Sequence, residues 1–291
     1  MEIEKTLAAW LIAPRASVYS MAISPDGQTL VTGGADRTAL VWQFRTAQPQ
    51  HLLRGHSDWV HCVAISPDGR TIATGSLDRT IKVWNLSTGQ EIYTLIGHSD
   101  AVYALSISPD GQTLFSGSKD TTIKVWNLNT GQEIRTLTAQ SDWVYSVAIS
   151  PDGKTLVSGC ADGTIQVLNQ GILTGHGSSV TAVAISPDGG TLVSGSIDET
   201  IKVWDLGTGQ ELRTITGHPG GVISLAISLD GRTVVSGGND KLVKVWDLQT
   251  GKKIHTFTGH LEPVLSVAID PKGQLIASGS RNDLIKVWAM R

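Results

Sequence analysis

The chain has 291 residues, a formal net charge of −3, 17% charged residues and 5% aromatics. That balance argues against a strongly basic nucleic-acid surface, and no apolar run approaches the ~18 residues of a membrane-spanning helix. Cys62 and Cys160 fall on predicted strands of different repeat units and read as buried reduced thiols rather than a disulfide.

Residues 1–13 come first. The stretch 7–13 is apolar and follows Lys5, a faint signal-peptide pattern, but Glu2 and Glu4 make the leader acidic and the run is short. The tetrapeptide Ser-Pro-Asp-Gly then stands at 24–27, 66–69, 108–111, 150–153 and 186–189. Degraded copies follow at Ser228-Leu229-Asp230-Gly231 and Asp270-Pro271-Lys272-Gly273. The steps are 42 residues except for one of 36, which gives seven units. Their approximate bounds are 14–55, 56–97, 98–139, 140–175, 176–217, 218–259, and 260–288 together with 1–13. A unit this small cannot bury its own apolar face, so neighbours must bury it together.

Unit two shows the elements. Strands are predicted over 60–66, 71–76, 80–86 and 91–95, separated by Pro67-Asp68-Gly69, Asp78-Arg79 and Ser87-Thr88-Gly89. Val60 and Cys62 read as one face of the first strand and Val63 and Ile65 as the other, so a β-bulge is expected between 62 and 63. The small residue after the aliphatic (Ala22, Ala64, Ser106, Ala148, Ala184, Ala226, Ala268) suits a strand beside a crowded axis. Four short antiparallel strands repeated seven times predict an all-β, seven-bladed propeller folded as a single domain. The last unit has three strands, so the N-terminal segment is expected to supply its outer strand and close the ring, centred on either 3–7 or 8–12.

Gly-His pairs, a later Ser or Thr, an Asp, and strands ending in Trp-Asp or Trp-Asn recur through the whole chain. In these marks the sequence resembles the WD-repeat family, with near-uniform copies of bacterial type. The resemblance implies a hydrogen-bonded set in each blade: His56, Thr74, Asp78 and Trp84; His98, Ser116, Asp120 and Trp126; His176, Ser194, Asp198 and Trp204; His218, Ser236, Asp240 and Trp246. A His-Ser-Asp set also looks like a hydrolase triad, but an enzyme needs one activated nucleophile rather than several copies. Unit one has Ala13-Pro14 for Gly-His but keeps Asp36 and Trp42. Unit four has Ala139-Gln140 for Gly-His, Leu168 for Trp, and six residues fewer; it is expected to open first. Unit seven has Asn282 at the Asp position, beside Asp283.

No metal-ligand spacing is present among the remaining histidines. Asp152-Gly153-Lys154-Thr155 resembles half a P-loop but precedes a strand, so it reads as a hairpin turn. Lys82, Lys124, Lys202, Lys244 and Lys286 recur on the third strand and read as solvated faces. Three positions vary between units: three and five residues after the His, and just before the turn Asp. In the family these lie on the upper face, around the channel mouth. Tyr19, Trp59, His61, Tyr103, Lys119, Trp143, Tyr145 and Arg281 stand at them, with all the aromatics in units one to four. Clustered rim aromatics are what binding hot spots are made of; packing against a neighbouring blade is the alternative. Lys119 or Arg281 is expected to meet an acidic group on the ligand.

The expected function is a non-catalytic scaffold binding a peptide or partner protein. No metal, cofactor, small-molecule substrate, nucleic acid or membrane is expected, and the chain is read as monomeric and cytoplasmic. Two alternatives stand beside it. A propeller enzyme would need carboxylates or histidines on the axial strands, where small and aliphatic residues are predicted. A structural or regulatory tail of a larger kinase or ATPase polypeptide would fit the likeness to bacterial arrays, whether the chain is a whole protein or a domain.

Overall fold

The computed structural model describes residues 11–12, 16–138, 141–281 and 284–290. These form seven four-stranded antiparallel sheets, the blades of a seven-bladed β-propeller. Blades 1 to 6 span 18–54, 60–96, 102–137, 144–173, 180–216 and 222–257; blade 7 spans 264–289 and is joined by Leu11–Ile12. The described residues contain no helix long and apolar enough to cross a membrane. Leu11 pairs with Ile285 and Ile12 with Leu284. This pairing falls in the 8–12 window; the 3–7 window lies outside the described residues.

Each blade buries both of its faces against its neighbours, which is why single units read as almost continuously apolar. Val60, Val63, Ile72 and Trp84 of blade 2 pack with Val31, Val41 and Leu53 of blade 1. Cys62, Ala73, Ile81, Val83 and Leu95 pack the other way, on Val102, Leu114 and Trp126 of blade 3. Val60 and Val63 therefore share a face and Cys62 is opposite, which corrects the phase expected from sequence. The register shift lies between Val60 and Cys62, so His61 is the extra residue. With both faces buried, alternation alone could not locate it. The same shift recurs in all seven inner strands, at Tyr19, His61, Tyr103, Tyr145, Thr181, Ile223 and Leu265.

The Pro-Asp-Gly turns form a second ring at the opposite end of the inner strands. Ser66 Oγ donates to Asp68 Oδ1 at 2.5 Å and accepts from the Thr71 amide at 2.9 Å. Gly69, at φ +69°, sits over the preceding blade's proline; a Cβ there would lie 3.9 Å from Pro25 Cδ. Equivalent contacts join Gly111 to Pro67, Gly153 to Pro109, Gly189 to Pro151, Gly231 to Pro187, and Gly27 to Pro271. The series breaks where Leu229 replaces proline: it is 63% exposed, and Gly273 of blade 7 has nothing near its missing Cβ.

The recurrent lysines are not solvated. Lys82 Nζ lies 2.9 Å from Glu91 and donates to Thr94 at 2.8 Å on the outer strand. Lys124 meets Glu133 and Thr136, and Lys202 meets Glu211 and Thr214, in the same way. Lys244 is buried and reaches Asp240, and Lys286 donates to the Gly259 carbonyl at 2.5 Å. The glutamates lie nine residues downstream, on a different strand, so the lysines alone looked unpaired.

Candidate partner-binding surface

The four hydrogen-bonded sets form as expected. In blade 2 the Trp84 indole N–H donates to Thr74 Oγ1 at 2.9 Å, and that hydroxyl donates to His56 Nε2 at 2.8 Å. The His56 Nδ1–H donates to Asp78 Oδ2 at 2.9 Å. His98, Ser116, Asp120 and Trp126 repeat the chain in blade 3, as do His176, Ser194, Asp198 and Trp204 in blade 5. His218, Ser236, Asp240 and Trp246 complete it in blade 6. Burial pushes the Asp78 and Asp120 carboxyls up, but bonds from the histidine, a threonine and a backbone amide outweigh it. Both end well below the usual carboxylate range. Each hydroxyl is held between an indole and an imidazole and is fully buried, so none is free to attack a substrate.

The units outside the pattern keep fragments of it. Trp42 donates to Thr32 at 3.1 Å in blade 1. In blade 4 Ser141 Oγ donates to Asp162. In blade 7 His260 Nε2 bonds Ser278 at 2.7 Å, while its buried Nδ1 has no partner among the described residues. The expectations resting on 13–14, 139–140 and 282–283 lie outside the described residues.

The three variable positions of each unit are brought together. In every blade the residue before the turn Asp donates its amide to the carbonyl of the residue three after the His position, as Leu77 does to Trp59 and Lys119 to Ala101. The bulge residue lies two beyond. Across blades 1 to 4 these bulge residues meet ring to ring. Tyr19 stacks on His61 at 5.2 Å, His61 meets Tyr103 at 4.8 Å, and Tyr103 stacks on Tyr145 at 5.4 Å. Trp59 stacks on Tyr19 at 5.3 Å, and Trp143 stands edge-on to Tyr145 at 6.2 Å. The result is one continuous aromatic arc, with Trp59 (42% exposed) and Trp143 (37%) as its most exposed members.

Two family models match this chain. One, described as IFT122 first beta-propeller, matches residues 17–172, more than half of the chain. The other, described as WD domain, G-beta repeat, matches 168–205, 209–247 and 251–289. The chain belongs to the WD-repeat family of β-propellers. No curated protein is matched by it.

Within this WD-repeat propeller the arc is a neutral, donor-bearing surface. Burial lowers His61 to about 4, against the effect of its bond to the Tyr103 carbonyl (3.4 Å), so the ring is uncharged at neutral pH. Burial likewise raises Tyr19, Tyr103 and Tyr145, which keep their protons. Lys119 has neighbours within the chain. Its Nζ already lies 4.6 Å from the Trp143 ring centroid and 3.8 Å from Asp100. Arg281 is exposed beside Tyr19, and its carbonyl accepts from Ser17 Oγ at 2.8 Å. Three carboxylates on this rim escaped the sequence reading: Asp58, Asp100 and Asp142. Their signal was Ser-Asp immediately before the variable position, present in units two to four and in no other.

Proposed function

We propose that the chain is a non-catalytic interaction module whose channel mouth over blades 1 to 4 binds an extended peptide or a loop of a partner protein. WD-repeat propellers commonly serve as protein-interaction scaffolds. The observation that carries the reading here is the aromatic arc. Structure alone asks for the same residue in every blade, yet rings occupy these sites in one half of the mouth and small or aliphatic groups in the other. Partly exposed, pre-stacked rings bury large area at low entropic cost. Tyr19, Trp59, His61, Tyr103, Trp143 and Tyr145 are the proposed contacts, with Lys119 and Arg281 at the edges. The closed hydroxyl–imidazole sets favour this over an enzyme. The module is read as a cytoplasmic monomer.

The test is affinity capture of partners from the source cell, comparing wild type with a Trp59→Ala/Tyr103→Ala/Trp143→Ala triple variant of unchanged thermal midpoint. Loss of captured protein from the variant is expected. Equal capture by both refutes the placement.

A further inference from the structure

The sign of the partner's charge can be read from the rim. Asp100 is paired within the chain: Lys119 lies 3.8 Å away and rests on the face of Trp143. The place of Lys119 in the next blade is held by Ala161, and in the preceding blade by Leu77, with the same backbone bonds. Asp142 and Asp58 therefore have no lysine of their own at that position. Each uses one oxygen to accept the following residue's amide, at 2.7 Å for Trp143 and 2.8 Å for Trp59. No cation lies within ion-pair distance of either among the described residues. Each carboxylate directly precedes an exposed tryptophan in the chain, so acid and indole are sequence neighbours twice. Lys119 shows a cation already held between blades 3 and 4, over the Trp143 ring with the Asp100 carboxylate of the neighbouring blade at its side.

We infer that the occupant of the arc is a basic segment, an extended stretch of a partner protein carrying two arginines, one for the Asp58–Trp59 corner and one for the Asp142–Trp143 corner. The inference rests on the proposed binding at the arc and adds its sign. Arginine is favoured over lysine because its flat, weakly hydrated guanidinium stacks on a ring while its N–H groups reach a carboxylate. This reverses the expectation that Lys119 meets an acidic ligand group. Lys119 instead competes with the ligand for Asp100 and Trp143.

The test is a fluorescence-anisotropy titration with labelled acetyl-(Gly-Ser-Arg)4-amide and its Lys and Glu counterparts, at low and physiological salt. The Arg peptide is expected to bind at least tenfold more tightly than the Glu peptide and to weaken as salt rises. Lys119→Ala is expected to tighten Arg-peptide binding several-fold. Ala161→Lys, which places a lysine beside Asp142 without removing any group, is expected to weaken it about tenfold. Asp58→Asn/Asp142→Asn, which keeps the oxygen that accepts the backbone amide, is expected to do the same. Tighter binding of the Glu peptide, or weaker Arg-peptide binding by Lys119→Ala, overturns the sign while leaving the arc as the site. Binding that neither these changes nor Trp59→Ala/Trp143→Ala alters, or no binding of any peptide, overturns it as well, and unaltered binding also places the contact elsewhere.

Discussion

Lys244 Nζ lies 2.6 Å from Asp240, four residues before it, whereas the matching lysines of blades 2, 3 and 5 reach a glutamate on the outer strand. The cause is Lys253, which pairs opposite Trp246 where Glu91, Glu133 and Glu211 pair opposite their tryptophans. With a like charge on the outer strand, Lys244 turns inward, and the Thr256 hydroxyl is left buried without a partner among the described residues. Lys253→Glu should return Lys244 to the outer strand and satisfy Thr256. A gain of about 1 kcal/mol is expected, read as a higher denaturation midpoint. An unchanged or lower midpoint would mean that the Asp240 contact is the better one.

The broken proline ring makes a second prediction. Leu229 sits in a turn whose hydrogen bonds match those of the proline-bearing units: Gly231 N to Ser228 O at 2.9 Å, against 2.8 Å from Gly69 N to Ser66 O. Proline should fit there without strain, restrict the unfolded chain, and give Gly273 the contact it lacks. Leu229→Pro is expected to stabilise by about 0.4–1 kcal/mol and to remove an exposed apolar side chain. Thermal melts of the single variant decide it; a lower midpoint would show that the backbone at 229 departs from its six counterparts.

Stability should fall on acidification in two stages. Burial holds His61 and His260 at about 4, below their ordinary 6.5, so the folded chain binds fewer protons than the unfolded one between those values. Their contribution is complete above 6.5 and is lost as pH falls toward 4. The second stage belongs to the carboxylates. At Asp198, at about 2, burial opposes the shift and bonds from Thr200, the Gly177 amide and His176 produce it, so its share goes between its ordinary 3.8 and that value. His61→Phe keeps a ring in the arc and removes one titrating group. Its thermal midpoint should drop less than that of wild type between pH 6.5 and 4.5, and an identical drop would remove His61 from this account.

The repeat period, the turn residues and the His-to-Trp sets were legible in sequence because each is fixed locally and repeated. What escaped depended on contacts between elements. Cys62 and Val63 are both buried, but against different blades, so hydrophobicity could not say which way either pointed. Lys82 looked solvated because Glu91 lies on the adjacent strand. The variable positions were found, but not that Tyr19, His61, Tyr103 and Tyr145 touch in series, since each ring's partner is about one repeat away. The rim carboxylates were not legible because whether Asp58, Asp100 or Asp142 has a cation beside it depends on a residue about twenty positions on, of which only Lys119 is charged.

Blade 4 carries the last prediction. Its third and outer strands, Ile165–Val167 and Gly171–Leu173, have three residues each, against six and six in blade 2. Leu168 replaces the tryptophan, so no indole reaches Ser158 from that position. Fewer ladder bonds and less buried area mean a smaller free energy of local opening. Amides over 155–173 should exchange faster than their counterparts in blades 2 and 3, with the inner strand Val144–Ile149 more protected because it packs on both neighbouring blades. Hydrogen exchange read by mass spectrometry tests this, and Leu168→Trp supplies a control in the opposite direction. If the indole finds Ser158, exchange over 155–173 should slow; if 155–173 is already as protected as blades 2 and 3, the shortened ladder is not the weak point of the ring.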